Sequence, residues 1–251
     1  MPQDRHWHRH SQGMSSIGAI TRIDRFPVKS LSGERLQSVA VDSRGLRGDR
    51  LWAVRDADGK FGSGKNTRRF RRMPGLLDLA ARYDAELVPI VRFPDGRTLR
   101  GGDAELDDAL TAHVGRPVSL AHEDGISHFD EGPLHLVTSA SLARLAEHVG
   151  GPVDPAHLRA NLLVDTGTAA ARYDEADWIG CTFALGAVTV RAVRAMTRCV
   201  MLDTAQVGVA GDGRLLKAVT EANDATLGLV VEVVAGGTIH LGDRVTKLSS
   251  P

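Results

Sequence analysis

Only two cysteines, Cys181 and Cys199, occur in 251 residues. That excludes a disulfide scaffold and any Cys-x-x-Cys zinc or redox motif. No stretch approaches the ~18 uninterrupted apolar residues that a membrane helix needs. Net charge is absent too: 31 Lys+Arg balance 31 Asp+Glu. No long-range field therefore favours nucleic acid or an anionic membrane, and neither is expected as a partner. The N-terminus has no apolar signal-peptide core, from which a cytoplasmic location is expected. Residues 1–16 are polar and carry His6, His8 and His10. Loose metal binding is open to them, but nothing apolar anchors the segment and a disordered extension is expected. What is present is ordinary for a globular chain, 42% hydrophobic and 25% charged, and long enough for one large domain or two small ones.

From Ile17 the pattern becomes strand-like, with Ile17, Ala19, Thr21 and Ile23 alternating before Pro27 ends the run. Asp56-Ala57-Asp58-Gly59 has hairpin-turn chemistry between Val54 and Phe61. Asp103 to Val114 reads as a helix ended by Gly115, followed by a strand from Pro117 to Ala121. His122 to Gly132 is polar and is the best candidate for a linker or long loop. Leu134 to Val137 reads as a strand leading into a helix capped by Thr138 or Ser139. Further strands are expected over Asn161–Asp165, Thr182–Val193 and Leu227–Ala235, with a helix over Leu215–Ala222. Short, closely spaced strands with few helices predict a mainly β, barrel-rich α+β fold with two lobes. The expected domains are residues 17–121, a β-rich first lobe, and residues 122–251.

Cys199 follows Thr197 and Arg198, and an adjacent guanidinium favours the thiolate that attacks carbon or binds a soft metal. Core packing is the competing reading for any free cysteine. Cys181 has no cationic neighbour and reads as packing. Gly59 to Lys65 satisfies Gly-x4-Gly-Lys, but Asn66 stands where a P-loop needs Ser or Thr. The charged run Arg68-Arg69-Phe70-Arg71-Arg72 then replaces the required amphipathic helix, so a hairpin explains the glycines better. The arginine cluster itself leaves three readings open: a solvated loop, nucleic-acid binding, or a site for a phosphorylated small molecule.

Several segments, in order, resemble the MOSC family, which includes molybdenum cofactor sulfurase C-terminal domains and the mitochondrial amidoxime-reducing components. Phe26-Pro27-Val28-Lys29-Ser30 resembles its Tyr-Pro-x-Lys-Ser turn. Gly48-Asp49-Arg50-Leu51-Trp52 resembles its Gly-Asp-Arg-x-Trp segment. Arg159-Ala160-Asn161 resembles its Arg-Pro-Asn strand, with Ala160 in place of Pro. Val137 to Leu142, Trp178-Ile179-Gly180, Met196 to Cys199, Asn223-Asp224 and Gly237 to Asp243 complete the set.

The resemblance implies a molybdenum cofactor, Mo-molybdopterin, held between an N-terminal β-rich domain and a second domain. By the same resemblance Lys29, Ser30, Arg50, Thr138, Ser139, Arg159, Asn161, Thr197 and Arg198 contact it. Cys199 is then the catalytic thiolate and metal ligand. The implied activity is oxidoreduction of the amidoxime-reducing type, removing oxygen from small N-hydroxylated substrates. The sequence holds no flavin, haem or iron–sulfur motif, so electrons are expected from an external flavin or iron–sulfur protein. The alternative is a non-catalytic carrier of molybdenum cofactor or sulfur.

Overall fold

The computed structural model describes residues 15–167 and 171–249. The expected extension lies outside the described residues as far as residue 14, whereas Ser15 and Ser16 already belong to the first strand. That strand, Ser15–Arg25, buries Ile20 and Ile23 completely and leaves Thr21 exposed, so the expected face of Ile17, Ala19, Thr21 and Ile23 is not kept; the shift in register between Ile20 and Arg22 resets which side faces inward. It pairs antiparallel with two barrel partners, Arg244–Ser249 along its first half and Leu162–Asp165 along its second, and at its end with Glu34–Arg35. The register shifts between Ser16 and Gly18 and again between Ile20 and Arg22. Such bulges bend a strand, which lets one strand turn a corner between two neighbours.

This double pairing closes a seven-strand barrel. Around it run Leu162–Asp165, Leu134–Thr138, Thr226–Ala235, Val188–Thr197, Thr182–Leu185, Arg244–Ser249 and Ser15–Arg25. Leu134–Thr138 and Leu162–Asp165 are parallel, so their connection must cross over, and the helix Ser139–Val149 supplies it. The interior is filled by Leu162, Leu185, Val190, Leu229 and Val245, with Cys181 fully buried among them. Packing, not chemistry, accounts for that cysteine.

Three α-helices occur among the described residues: α1 (Leu106–Val114), α2 (Ser139–Val149) and α3 (Leu215–Asn223). The first two end at Gly115 and Gly150 in left-handed conformation, a geometry that favours glycine. No helix among the described residues is long and apolar enough to cross a membrane.

The other lobe joins Trp52–Asp56, Phe61–Ser63, Phe70–Arg72 and Val118–His122 in one sheet, and Ala80–Tyr83, Pro89–Arg92 and Thr98–Arg100 in another. With α1 they enclose a separate core around Leu31, Leu76, Leu79, Val91 and Leu110. The hairpin expected at Asp56–Gly59 forms, with Asp56 Oδ1 accepting the N–H of Lys60 at 2.9 Å. Gly59 to Asn66 opens no helix, so the P-loop reading has no structural support here.

A cut at 121/122 does not separate two self-contained cores. Ile20, Ile23, Val39, Val41 and Leu46 belong to the barrel core, and Ser38–Asp42 pairs with Gly237–His240. The chain begins in the barrel, leaves it to build the smaller lobe, and returns. Sequence composition marks only the second of these crossings, the polar loop after His122.

Candidate functional site

The lobes meet at a cleft built mostly from the ends of elements. Pro27 stops the first strand, and Lys29 is held there by its N–H on the Trp52 carbonyl at 2.8 Å. Asp49, completely buried, accepts the N–H of Phe26 at 2.8 Å and pairs with the Arg50 guanidinium. On the barrel side, Asp154 caps the turn Pro155–Leu158, which delivers Arg159 at its end. Arg198 and Cys199 follow the last residue of the Val188–Thr197 strand and precede the turn Val200–Leu202.

Ser30, Arg50 and Arg159 all line the cleft in left-handed backbone conformations, with φ of 65°, 51° and 48°. Such strain in non-glycine residues concentrates at functional sites, where surrounding structure enforces it. Here Arg50 N–H on the Phe26 carbonyl, at 2.6 Å, is one enforcing contact.

Five cationic side chains line this one cleft: Lys29, Arg50, Lys65, Arg159 and Arg198. Lys29 is only 2% exposed; its Nζ donates to Asp130 Oδ1 at 2.8 Å and to the His128 carbonyl at 3.0 Å. Burial pulls its ammonium down to about 8, against the pull of Asp130. Burial and then the Arg50 charge lower Arg159 to about 9. Burial also lowers Arg198 to about 10. Neither Arg159 nor Arg198 has a carboxylate partner within ion-pair distance among the described residues; their donors go to carbonyl or amide oxygens and one imidazole. Arg198 Nε is buried and has no partner at all. Buried donors in that state bind anions readily, because an oxyanion satisfies charge and hydrogen bond together.

Cys199 is half-buried and lines the same cleft as Arg198 and Arg159, whereas Cys181 does not. Thr197 is exposed at the cleft margin. Ser30 lines the cleft but its Oγ donates to the Gly62 carbonyl at 3.0 Å. Asn161 also lines it, yet its amide is committed to the backbone: Oδ1 accepts the His135 N–H at 3.1 Å and Nδ2 donates to the Asp24 carbonyl at 3.2 Å. Its part is to fix the strand ends.

Thr138 and Ser139 are not among the cleft-lining residues, contrary to expectation. Thr138 is fully buried as the cap of α2, accepting the Ser141 N–H at 3.1 Å and donating to Glu175 at 3.0 Å. Ser139 Oγ donates to Asp165 at 2.9 Å. Capping the helix uses the Thr138 hydroxyl on the spot, and the end of the Leu162–Asp165 strand takes that of Ser139.

Residues with no motif around them complete the site. His135 Nε2 faces Arg198 Nη1 at 3.4 Å, a contact in which the imidazole nitrogen serves as acceptor because an arginine only donates. Burial, then Arg198 and Arg50, push His135 well below the usual range and keep it neutral. The expected linker supplies the opposite wall through Phe129, Asp130 and Glu131, so it is a structural part of the site and not a tether. Lys65 belongs to the near-P-loop, noticed in the sequence for a different chemistry.

The family model for the MOSC domain matches residues 110–246, and that for the MOSC N-terminal beta barrel domain matches residues 17–132. Mitochondrial amidoxime-reducing component 1 of Homo sapiens is 21% identical, over 77% of this chain and 68% of that protein. Among solved structures, the YuaD protein of Bacillus subtilis is 14% identical with a TM-score of 0.49, covering 94% of this chain and all of that one. YiiM of Geobacillus stearothermophilus is 15% identical with a TM-score of 0.37, covering 47% of this chain and 54% of that one. Matched by its family model over more than half its length, the chain belongs to the MOSC domain family.

Proposed function

We propose that the chain is a molybdenum-cofactor oxidoreductase of the amidoxime-reducing type, with Mo-molybdopterin in the cleft between the lobes. One observation carries this reading: Lys29, Arg50, Arg159 and Arg198, dispersed along the sequence, line the cleft that Cys199 lines. The residues suit the group. A phosphorylated pterin brings an oxyanion, for which the unpartnered Arg198 Nε and the carboxylate-free Arg159 are ready donors. A soft metal calls for a thiolate, and Cys199 is the free thiol at hand.

In this reading Arg159 and Arg198 hold the phosphate, with Arg50 and Lys29 adding charge. Cys199 supplies a sulfur ligand to the metal. When bound, the cofactor supplies two-electron redox chemistry and accepts oxygen. Reduction of an N-hydroxylated substrate breaks the N–O bond, consumes two electrons and two protons, and releases water. An external electron-transfer protein of flavin or iron–sulfur type provides the electrons.

The test is to express wild type, Cys199→Ser and Cys181→Ser in a host that makes molybdenum cofactor. Molybdenum, pterin and turnover of benzamidoxime with reduced viologen dye are then measured. We expect turnover in wild type, its loss in Cys199→Ser with pterin largely retained, and retention in Cys181→Ser. Full turnover in Cys199→Ser would falsify the assignment. Stoichiometric molybdenum without turnover of any N-hydroxylated compound would leave a carrier of the cofactor as the function.

A further inference from the structure

Lys65 enters the cleft from the loop that follows the Phe61–Ser63 strand. Gly64 packs so closely on Met201 that any Cβ would clash with the Met201 sulfur. The loop therefore lies against the turn that carries Cys199. Lys65 Nζ stands 5.2 Å from the centre of the Phe70 ring, and Lys29 Nζ stands 4.5 Å from the same ring. Phe70 thus gathers two ammonium groups at one corner of the cleft. Phe26 gathers two guanidinium groups, Arg50 and Arg159, at another.

The charges do not balance. Of the five cations, Lys29 is paired with Asp130 and Arg50 with Asp49. Glu131, the other carboxylate lining the cleft, is taken by Arg194. Arg159, Arg198 and Lys65 are left without a carboxylate within ion-pair distance among the described residues, Asp130 acting on Lys65 and Arg159 only at longer range. A phosphate monoester carries roughly −1.5 to −2. It satisfies the two arginines and leaves Lys65 over. A cationic substrate, conversely, meets these charges and finds no uncommitted carboxylate on the cleft wall.

We propose that Lys65 selects substrates bearing an anionic group, a carboxylate or similar oxyanion, beside the turn that carries Cys199. This rests on the oxidoreductase reading above and gives its substrate class: N-oxygenated acids in preference to N-oxygenated bases. The anionic group only binds; the N–O bond elsewhere in the substrate is the one reduced, with the electrons and protons balanced as stated above.

The probes are benzamidoxime and its para-carboxylate derivative, compared on cofactor-loaded wild type, Lys65→Gln and Lys65→Arg. KM is measured with reduced viologen dye, and binding is measured separately by calorimetry without reductant. In wild type the carboxylate probe is expected to bind roughly tenfold more tightly than the neutral one, as for one charge-assisted contact. Lys65→Gln should bring the ratio of the two probes towards one, and Lys65→Arg should largely keep it. Equal affinities in wild type, or a ratio unchanged by Lys65→Gln, would overturn the proposal. So would loss of pterin in Lys65→Gln with an unchanged probe ratio, which would assign the lysine to the cofactor. Absent turnover with preserved discrimination in calorimetry would sink the oxidoreductase reading and leave the anion site standing.

Discussion

Arg50 donates to the backbone carbonyl of Arg159 at 3.3 Å across 109 residues of sequence, and the two guanidinium groups face one Phe26 ring at 4.7 and 4.4 Å. The two lobes are thus joined at the cleft by like charges held over an aromatic face. Ring and carbonyl offset part of the repulsion, and an added anion removes more of it.

Sulfate, an analogue of the phosphate oxyanion, should therefore raise the melting temperature of the cofactor-free protein. At about a hundred times its dissociation constant the gain is about 2.7 kcal/mol, or roughly 5–10 °C for a chain of this size. Arg159→Gln should lose most of that rise. An equal rise in wild type and variant would mean that sulfate binds elsewhere.

Sulfate affinity should also depend on pH through Lys29. Its ammonium is lowered to about 8, so positive charge is lost as pH rises through that value. Calorimetric titrations at about pH 7 and about pH 9 should give weaker binding at the higher pH, since sulfate itself does not titrate there. In Lys29→Gln this step should shrink to the part left by Arg159, whose guanidinium is lowered to about 9. A pH-independent affinity in wild type would exclude Lys29 from the anion site.

His128 makes a separate contribution to stability. It is fully buried, with Nδ1 at 3.1 Å from the Arg50 carbonyl and Nε2 without a partner. Burial lowers it from 6.5 to about 4. The unfolded chain therefore binds more protons between these values. The stabilisation is complete above the unfolded value and is lost as pH falls through the window, by about 3 kcal/mol at most. His135 shifts in the same direction and adds to the slope. Urea midpoints should fall on acidification from about pH 6.5 to about pH 4.5, and fall less in His128→Phe. Parallel curves for the two proteins would refute this origin.

The cysteines should differ in reactivity. Cys199 is half-buried at the cleft, and Cys181 is completely buried in the barrel. A thiol reagent should label one site in native protein, and none in native Cys199→Ser. Unfolding should expose the second. Two fast thiols in the native state would contradict the barrel packing.

Gly228 holds the floor beneath His135. Its φ is 84°, and a Cβ there would stand 2.6 Å from His135 Nε2 and 2.7 Å from the Leu136 carbonyl oxygen. Gly228→Ala should destabilise the protein by roughly 2–4 kcal/mol and disturb the His135–Arg198 contact. A change below about 1 kcal/mol would show that the strand relaxes freely.

Local structure was legible where one physical rule dominates. Asp56–Gly59 encodes its hairpin, Gly115 ends its helix, and the β-branched run from Ile17 marks the existence, though not the inward face, of Ser15–Arg25. That Cys181 serves packing was legible from the lack of a cationic neighbour, and the structure places it in the core. Thr138 and Ser139 lie away from the cleft because their hydroxyls have structural partners, a helix cap for Thr138 and the end of a neighbouring strand for Ser139, which a contact motif does not distinguish from ligand contacts. The left-handed backbones of Ser30, Arg50 and Arg159 were not legible, since nothing in those side chains favours that conformation. His135 and Lys65 reach the cleft through tertiary pairing, which no local spacing encodes.

The two-sided pairing of Ser15–Arg25 has a consequence for how the chain is made. One of its partners, Arg244–Ser249, leaves the ribosome only after everything between the two strands, so the first strand emerges without it. The barrel cannot seal until Arg244–Ser249 has been synthesised. Until then an apolar edge with unpaired backbone groups waits through the translation of everything between, a long-range contact pattern that slows folding and exposes the nascent chain to aggregation.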